Sequence, residues 1–121
     1  MKKLFDAFAY AVSGTAHAFK TGRNFRIEVF CAAVVLTAAR AFQISEMQWL
    51  IILINIGIVL SAELFNTAIE QLCNAFTAEF HTGVKIIKDA AAAAVLVSAV
   101  VAAICGAVIF IPPVIHLFKT F

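Results

Sequence analysis

Charge is what this chain has least of. Only 13% of its 121 residues are Asp, Glu, Lys or Arg, while 64% are hydrophobic. A soluble domain carries about a quarter charged residues and is roughly half apolar. That deficit excludes an ordinary soluble domain. The apolar residues also fall in long runs, so the chain reads as one integral membrane domain spanning 1–121. Cysteine is sparse: Cys31, Cys73 and Cys105 stand far apart with no short pair spacing, which excludes the usual zinc and redox motifs. All three read as buried small hydrophobes. The net charge of +2 is too small to imply a nucleic-acid partner, and none is expected. No GxxxxGK followed by Ser or Thr and no GxGxxG is present, so any nucleotide must be held by a non-standard site. The two prolines, Pro112 and Pro113, are adjacent and are expected to close the last helix.

The runs divide into three spans, about 29–44, 49–69 and 90–111, each approaching the ~20 residues that cross a bilayer as a helix. The first is the shortest and borrows length from a helix beginning near Arg23. Before it, Leu4, Phe5, Phe8, Val12 and Phe19 recur at helical spacing across 3–22. This predicts an amphipathic surface helix, packed on lipid or on the bundle. Met1 to Phe25 lacks the continuous apolar core of a cleavable signal. The expected class is therefore an all-α integral membrane protein with three transmembrane helices and an N-terminal amphipathic helix. Lys2, Lys3, Lys20, Arg23 and Arg26 precede the first span, and Lys85 and Lys88 lie between the second and third. The positive-inside rule puts the N-terminus and that second loop in the cytoplasm. Trp49 reads as an interfacial anchor, and Ala90 to Ala94 with Gly106 read as close-packing surface for a tight, self-associating bundle.

Three polar residues interrupt the second span. Glu63, Asn66 and Glu70 stand at i, i+3 and i+7 and share one helix face. Carboxylates at membrane depth cost at least ~2.5 kcal/mol each on insertion scales, and they mark function by default. Asn74 and Thr77 extend the stripe, and Glu79, His81, Gly83, Lys85, Lys88 and Asp89 follow in the cytoplasmic loop. Cations, paired carboxylates and a turn glycine close together suit a metal-bound nucleotide phosphate. His17 and His116 have no paired ligand at metal spacing and read as interfacial, while Asn55 faces away from the stripe.

Glu63-Leu-Phe-Asn66-Thr-Ala-Ile-Glu70 resembles the signature octapeptide of the prokaryotic diacylglycerol and undecaprenol kinases, which are small three-span lipid kinases. Lys88-Asp89 before an alanine-rich stretch, Phe8 to Gly14, and Asn24-Phe25-Arg26-Ile27 are similar to the same family, in its order and spacing. The resemblance implies a bacterial plasma-membrane enzyme that phosphorylates a membrane lipid alcohol with ATP and Mg²⁺. It also implies a homotrimer with active sites shared between subunits. Diacylglycerol, giving phosphatidic acid, is the default substrate, and undecaprenol is the alternative. Carried over by position, the resemblance makes Glu63 the catalytic base at the lipid hydroxyl, Glu70 a metal ligand and Asn66 a support. Lys3, Tyr10, Glu70, Glu79, Phe80, His81, Lys88 and Asp89 would meet the nucleotide, and Ala92 would lie near the lipid.

One departure stands out. The family carries a glutamate where this chain has Gly22, and that glutamate joins the metal-binding acids. Glu28 lies six residues on, ~9 Å along a continuous helix, and is not an obvious substitute. The departure keeps a catalytically silent member in view. An ion-conducting oligomer lined by Glu63, Asn66 and Glu70 is the rival of another class.

Overall fold

In the computed structural model, which describes residues 1–76, 79 and 81–121, the chain is all helical. Helix α1 runs Lys2–Thr21, α2 Arg23–Ala41, α3 Glu46–Phe76 and α4 Thr82–Thr120. Helix α3 is the hub: α4 packs along it most extensively, and α2 and α1 each touch it.

Two helices, α3 and α4, are long and apolar enough to cross a membrane. Helix α2, expected as the first span, is the exception. Arg23, Arg26, Glu28 and Arg40 lie within its 19 residues, and that charge holds it below the composition of a free-standing span. It also stops short of the expected end at Ile44. Gln43 adopts a left-handed backbone at φ 53°. Gln43 N–H then bonds Arg40 O and Ile44 N–H bonds Ala39 O, the paired closure of a Schellman cap. A capping box opens α3: Ser45 N–H donates to Gln48 Oε1 at 3.1 Å, and Gln48 N–H donates back to Ser45 Oγ at 3.2 Å.

Helix α3 extends beyond the expected 49–69 at both ends. Its 31 residues rise ~46 Å against a ~30 Å hydrocarbon core, so the turns after Glu63 can stand clear of the lipid. Helix α4 also outruns expectation. Pro112 and Pro113 lie inside it, and it continues to Thr120. Proline's φ is helical, but each ring removes an N–H donor, and a membrane helix carries it where neighbouring helices or local adjustments satisfy the freed carbonyls.

The core is thin. Ala39, Ile52 and Ile109 meet where α2, α3 and α4 converge, with Val35, Leu36 and Phe110 against them. Trp49, half-buried at the start of α3, packs on this cluster. Phe42 and Phe110 meet with tilted rings, centroids 6.2 Å apart. Cys73 is buried, but Cys105 is half-buried and Cys31 exposed, so only one cysteine fits the buried reading.

Large apolar side chains lie exposed along every helix, among them Phe8 on α1, Phe30 on α2, Ile54 on α3 and Val108 on α4. A soluble monomer rarely presents so much contiguous apolar surface. The five apolar residues of the α1 stripe are exposed too, so the bundle leaves that face of α1 uncovered.

Candidate active site

The buried polar residues among those described are Glu63 and Asn66, 5% and 7% exposed. Both come from the same face of α3, as their spacing requires. Asn66 Nδ2 donates to Glu70 Oε1 at 3.4 Å. Asn66 also follows Glu63 by three residues on that face, one helical turn away. One amide therefore sits between two carboxylates, the first buried and the second exposed. A buried carboxylate without a cationic partner is held at a cost of several kcal/mol, which a purely structural role does not require.

A third carboxylate joins them. Glu28, half-buried on α2, is close enough to Glu63 for their charges to repel. Its Oε2 is buried with no hydrogen-bond partner among the described residues. Asn66 Oδ1 is in the same condition. The sequence reading measured Glu28 along the helix from Gly22 and passed it over. The better signal was the face it shares: Phe25, Glu28, Ala32, Val35 and Ala39 recur at i+3 and i+4 on the side of α2 turned toward the bundle.

Gly22 turns out to have a structural duty. It is the corner between α1 and α2, at φ −97° and ψ 106°. A Cβ added there would lie 2.7 Å from Ala18 O, closer than a side-chain carbon is found to approach a backbone oxygen. Arg26 secures the corner by donating from Nη1 to Phe19 O and Lys20 O, each at 2.9 Å, and so covers carbonyls that the end of α1 leaves open. His17, read from sequence as merely interfacial, makes a ring-nitrogen contact with Gln71 Nε2 at 3.0 Å and ties α1 to α3 one residue from Glu70.

At the C-terminal end of α3, one turn beyond Glu70, Lys88 Nζ donates to Asn74 Oδ1 at 2.7 Å. Asp89 pairs with Lys85 on the exposed face of α4. His81 caps α4, its Nδ1 accepting from Gly83 N–H at 3.0 Å. Glu79 is exposed, and Phe80 and Thr77 lie outside the described residues. Lys3 and Tyr10 are exposed on α1, and Ala92 is exposed on α4. The structure thus joins Glu63, Asn66 and Glu70 directly and brings Lys88 onto the stripe through Asn74. Lys3 and Tyr10 stand ~21 and ~10 Å up α1 from the His17 contact.

Among the described residues no three acidic, His or Cys side chains converge as a metal cage. The donors that are present still suit a hard divalent cation carried with a nucleotide. Asn66 Oδ1 is an orphaned buried oxygen beside the Glu70 carboxylate. Magnesium takes few protein ligands and completes its shell with phosphate oxygens and water.

Helices of membrane-spanning composition thus carry a buried carboxylate, with oxygen donors and a lysine toward one helix end, an arrangement that suits a membrane enzyme acting on a phosphate compound. The family model described as prokaryotic diacylglycerol kinase matches residues 9–110, and the chain belongs to that family. It is 38% identical over 112 residues to the undecaprenol kinase of Bacillus subtilis (strain 168), covering 93% of this chain and 91% of that one. It is 36% identical over 115 residues to the diacylglycerol kinase of Synechocystis sp., covering 94% of this chain and 66% of that one. The chain is a lipid kinase, which sets aside the ion-conducting reading.

Proposed function

We propose that this kinase, a single domain over 1–121, transfers the γ-phosphoryl group of ATP to the hydroxyl of diacylglycerol, forming phosphatidic acid. The observation that carries the mechanism is the burial of Glu63 and Asn66, with the exposed Glu70 on the same face of α3. Phosphoryl transfer needs positioning, charge neutralisation and an acceptor for the hydroxyl proton. Glu63, deepest of the three α3 polar groups, accepts that proton. Asn66, one turn on, steadies the site through its bond to Glu70. Glu70 and Asn66 Oδ1 are the groups that would hold Mg²⁺, which when bound with ATP offsets the negative charge of the phosphates. Lys88, steadied by Asn74, supplies a further positive charge at the same end, with Asp89 beside it.

Undecaprenol is the second reading, favoured by the Bacillus relative of that name, whose length this chain covers to 91%. Membrane residence with three crossings, a cytoplasmic N-terminus and α1 lying on the lipid surface accord with the uncovered apolar faces. A homotrimer with shared active sites would cover part of the apolar surface that one chain leaves bare. It would also bring in neighbouring groups near Lys3 and Tyr10. The test is a thin-layer assay of purified protein in mixed micelles with labelled ATP, each lipid offered separately. Labelled phosphatidic acid supports the first reading and labelled undecaprenyl phosphate the second. Label in neither overturns both.

A further inference from the structure

Helix α1 is thinly anchored: Ala18 is the one buried residue among its 20. A groove of about 640 Å³ lies between Val12, Thr15 and Phe19 of α1 and Val29 and Leu60 of α2 and α3. Packing across that gap does little to fix the direction of α1. Its root does little more, because the extended backbone at Gly22 interrupts the helical run into α2. The bonds from Arg26 hold only Phe19 O and Lys20 O, three and two residues from that corner. The next attachment is His17. Its ring nitrogen meets Gln71 Nε2 at 3.0 Å, and among the described residues this is the one side-chain hydrogen bond between α1 and α3.

We propose that His17 and Gln71 are positioning residues: together they hold α1 to the active-site end of α3 and set where its side chains meet magnesium-ATP. The proposal rests on the kinase reading, in which Glu70 holds the metal and Lys3 and Tyr10 meet the nucleotide. A rod held only at its root swings, and a second point off the pivot sets its direction. His17 is five residues from Gly22, ~7.5 Å along α1, and its partner directly follows Glu70 in the chain. Tyr10 is 12 residues from the same corner, ~18 Å, so a swing of ~10° would move it ~3 Å. That displacement equals the full length of a hydrogen bond. The pairing suits a standing contact. The Gln71 amide can offer its N–H to a bare ring nitrogen or its oxygen to a protonated one, so either imidazole tautomer is served. Both side chains are exposed, so the bond steers α1 without carrying the core. One hydrogen bond shifts an equilibrium by about two- to tenfold, which is enough to bias a helix's position.

A double-mutant cycle in the full chain, in mixed micelles, tests the pair. His17→Leu and Gln71→Leu should each raise KM for ATP about three- to tenfold and weaken magnesium-ATP binding in calorimetric titration by the same factor. Turnover at saturating ATP should stay within about twofold of the parent, and KM for the lipid should not move. The double variant should be no worse than either single change, since the same bond is lost in each. His17→Gln, whose amide ends about where the ring Nε2 lies, should recover the parental KM. His116→Leu, near the far end of α4, is the control and should match the parent. Effects that multiply in the double variant overturn the proposal, as do parental KM and affinity in His17→Leu, or a His17→Gln variant as poor as His17→Leu. A fall in kcat alone, or a loss of helical content or oligomeric mass, also overturns it, because the contact would then serve the chemistry or the fold. A parent that phosphorylates no lipid alcohol, yet loses magnesium-ATP affinity on His17→Leu, supports the tether and contradicts the kinase reading alone.

Discussion

Lys88, in the second turn of α4, donates from Nζ to Asn74 Oδ1, in the last turn of α3, at 2.7 Å. The bond closes the end of the bundle at which Glu70 lies. It holds a cation one helical turn beyond Glu70, where an anionic nucleotide would sit in the proposed mechanism. The two residues make separable predictions. Lys88→Met should lower kcat/KM for ATP about 10- to 100-fold, or ~1.4–2.7 kcal/mol of transition-state stabilisation. Asn74→Ala leaves the charge but frees it to wander, and should cost less, under tenfold. Steady-state kinetics in micelles check both, and an Asn74 effect as large as the Lys88 effect would mean that Asn74 itself meets substrate.

The Glu70 carboxylate and Asn66 Oδ1, the groups proposed to hold Mg²⁺, predict a magnesium phenotype. Glu70→Gln replaces a hard anionic donor with a neutral amide and should raise the half-saturating Mg²⁺ concentration at least tenfold. Asn66→Leu removes both the orphaned Oδ1 and the amide bonded to Glu70, so it should shift Mg²⁺ dependence and lower turnover together. Calorimetric titration of magnesium-ATP into each variant provides a readout independent of turnover. A Mg²⁺ dependence in Glu70→Gln equal to the parent's would make Glu70 a packing residue.

The α1–α2 corner predicts a stability phenotype at Gly22. A Cβ there forces the Ala18 carbonyl to move, and overpacking of this kind costs about 1–3 kcal/mol. Gly22→Ala should therefore lower the midpoint of thermal unfolding in micelles. Gly22→Glu, which would restore the family's acid, should do so at least as strongly rather than improve the enzyme. Arg26→Ala strips the guanidinium from Phe19 O and Lys20 O and should speed amide exchange through the last turn of α1. The two changes act on one corner, so combining them should cost less than their sum. A Gly22→Glu variant as stable as the parent, with tighter magnesium-ATP binding, would contradict this account of the corner.

The sequence was most legible where a single helix carries the information. Glu63, Asn66 and Glu70 need only the 3.6-residue period to share a face, and their cost in lipid makes them the candidates for function. It was least legible where two helices meet. Nothing in the spacing from Gly22 to Glu28 says that α2 turns Glu28 onto Glu63, since that depends on how α2 docks against α3. The Arg26 cap and the His17–Gln71 contact have the same character: each needs the bend at Gly22 before its partners come within reach. Helix ends were misjudged for local reasons. A left-handed Gln43 stops α2 early, and α4 runs on through Pro112 and Pro113 to Thr120, where proline was expected to end it.

The account's central claim is that the buried Glu63 carboxylate takes the proton from the lipid hydroxyl, and Glu63→Gln tests it most directly. The amide keeps the size and a hydrogen-bonding oxygen but cannot act as a base near neutral pH. Turnover of the lipid substrate should fall by about 10²- to 10⁴-fold, the range general-base catalysis supplies. Helical content, oligomeric mass and magnesium-ATP affinity should remain those of the parent. An assembled Glu63→Gln protein that phosphorylates lipid at near-parental rates would remove Glu63 from the chemistry and contradict the mechanism.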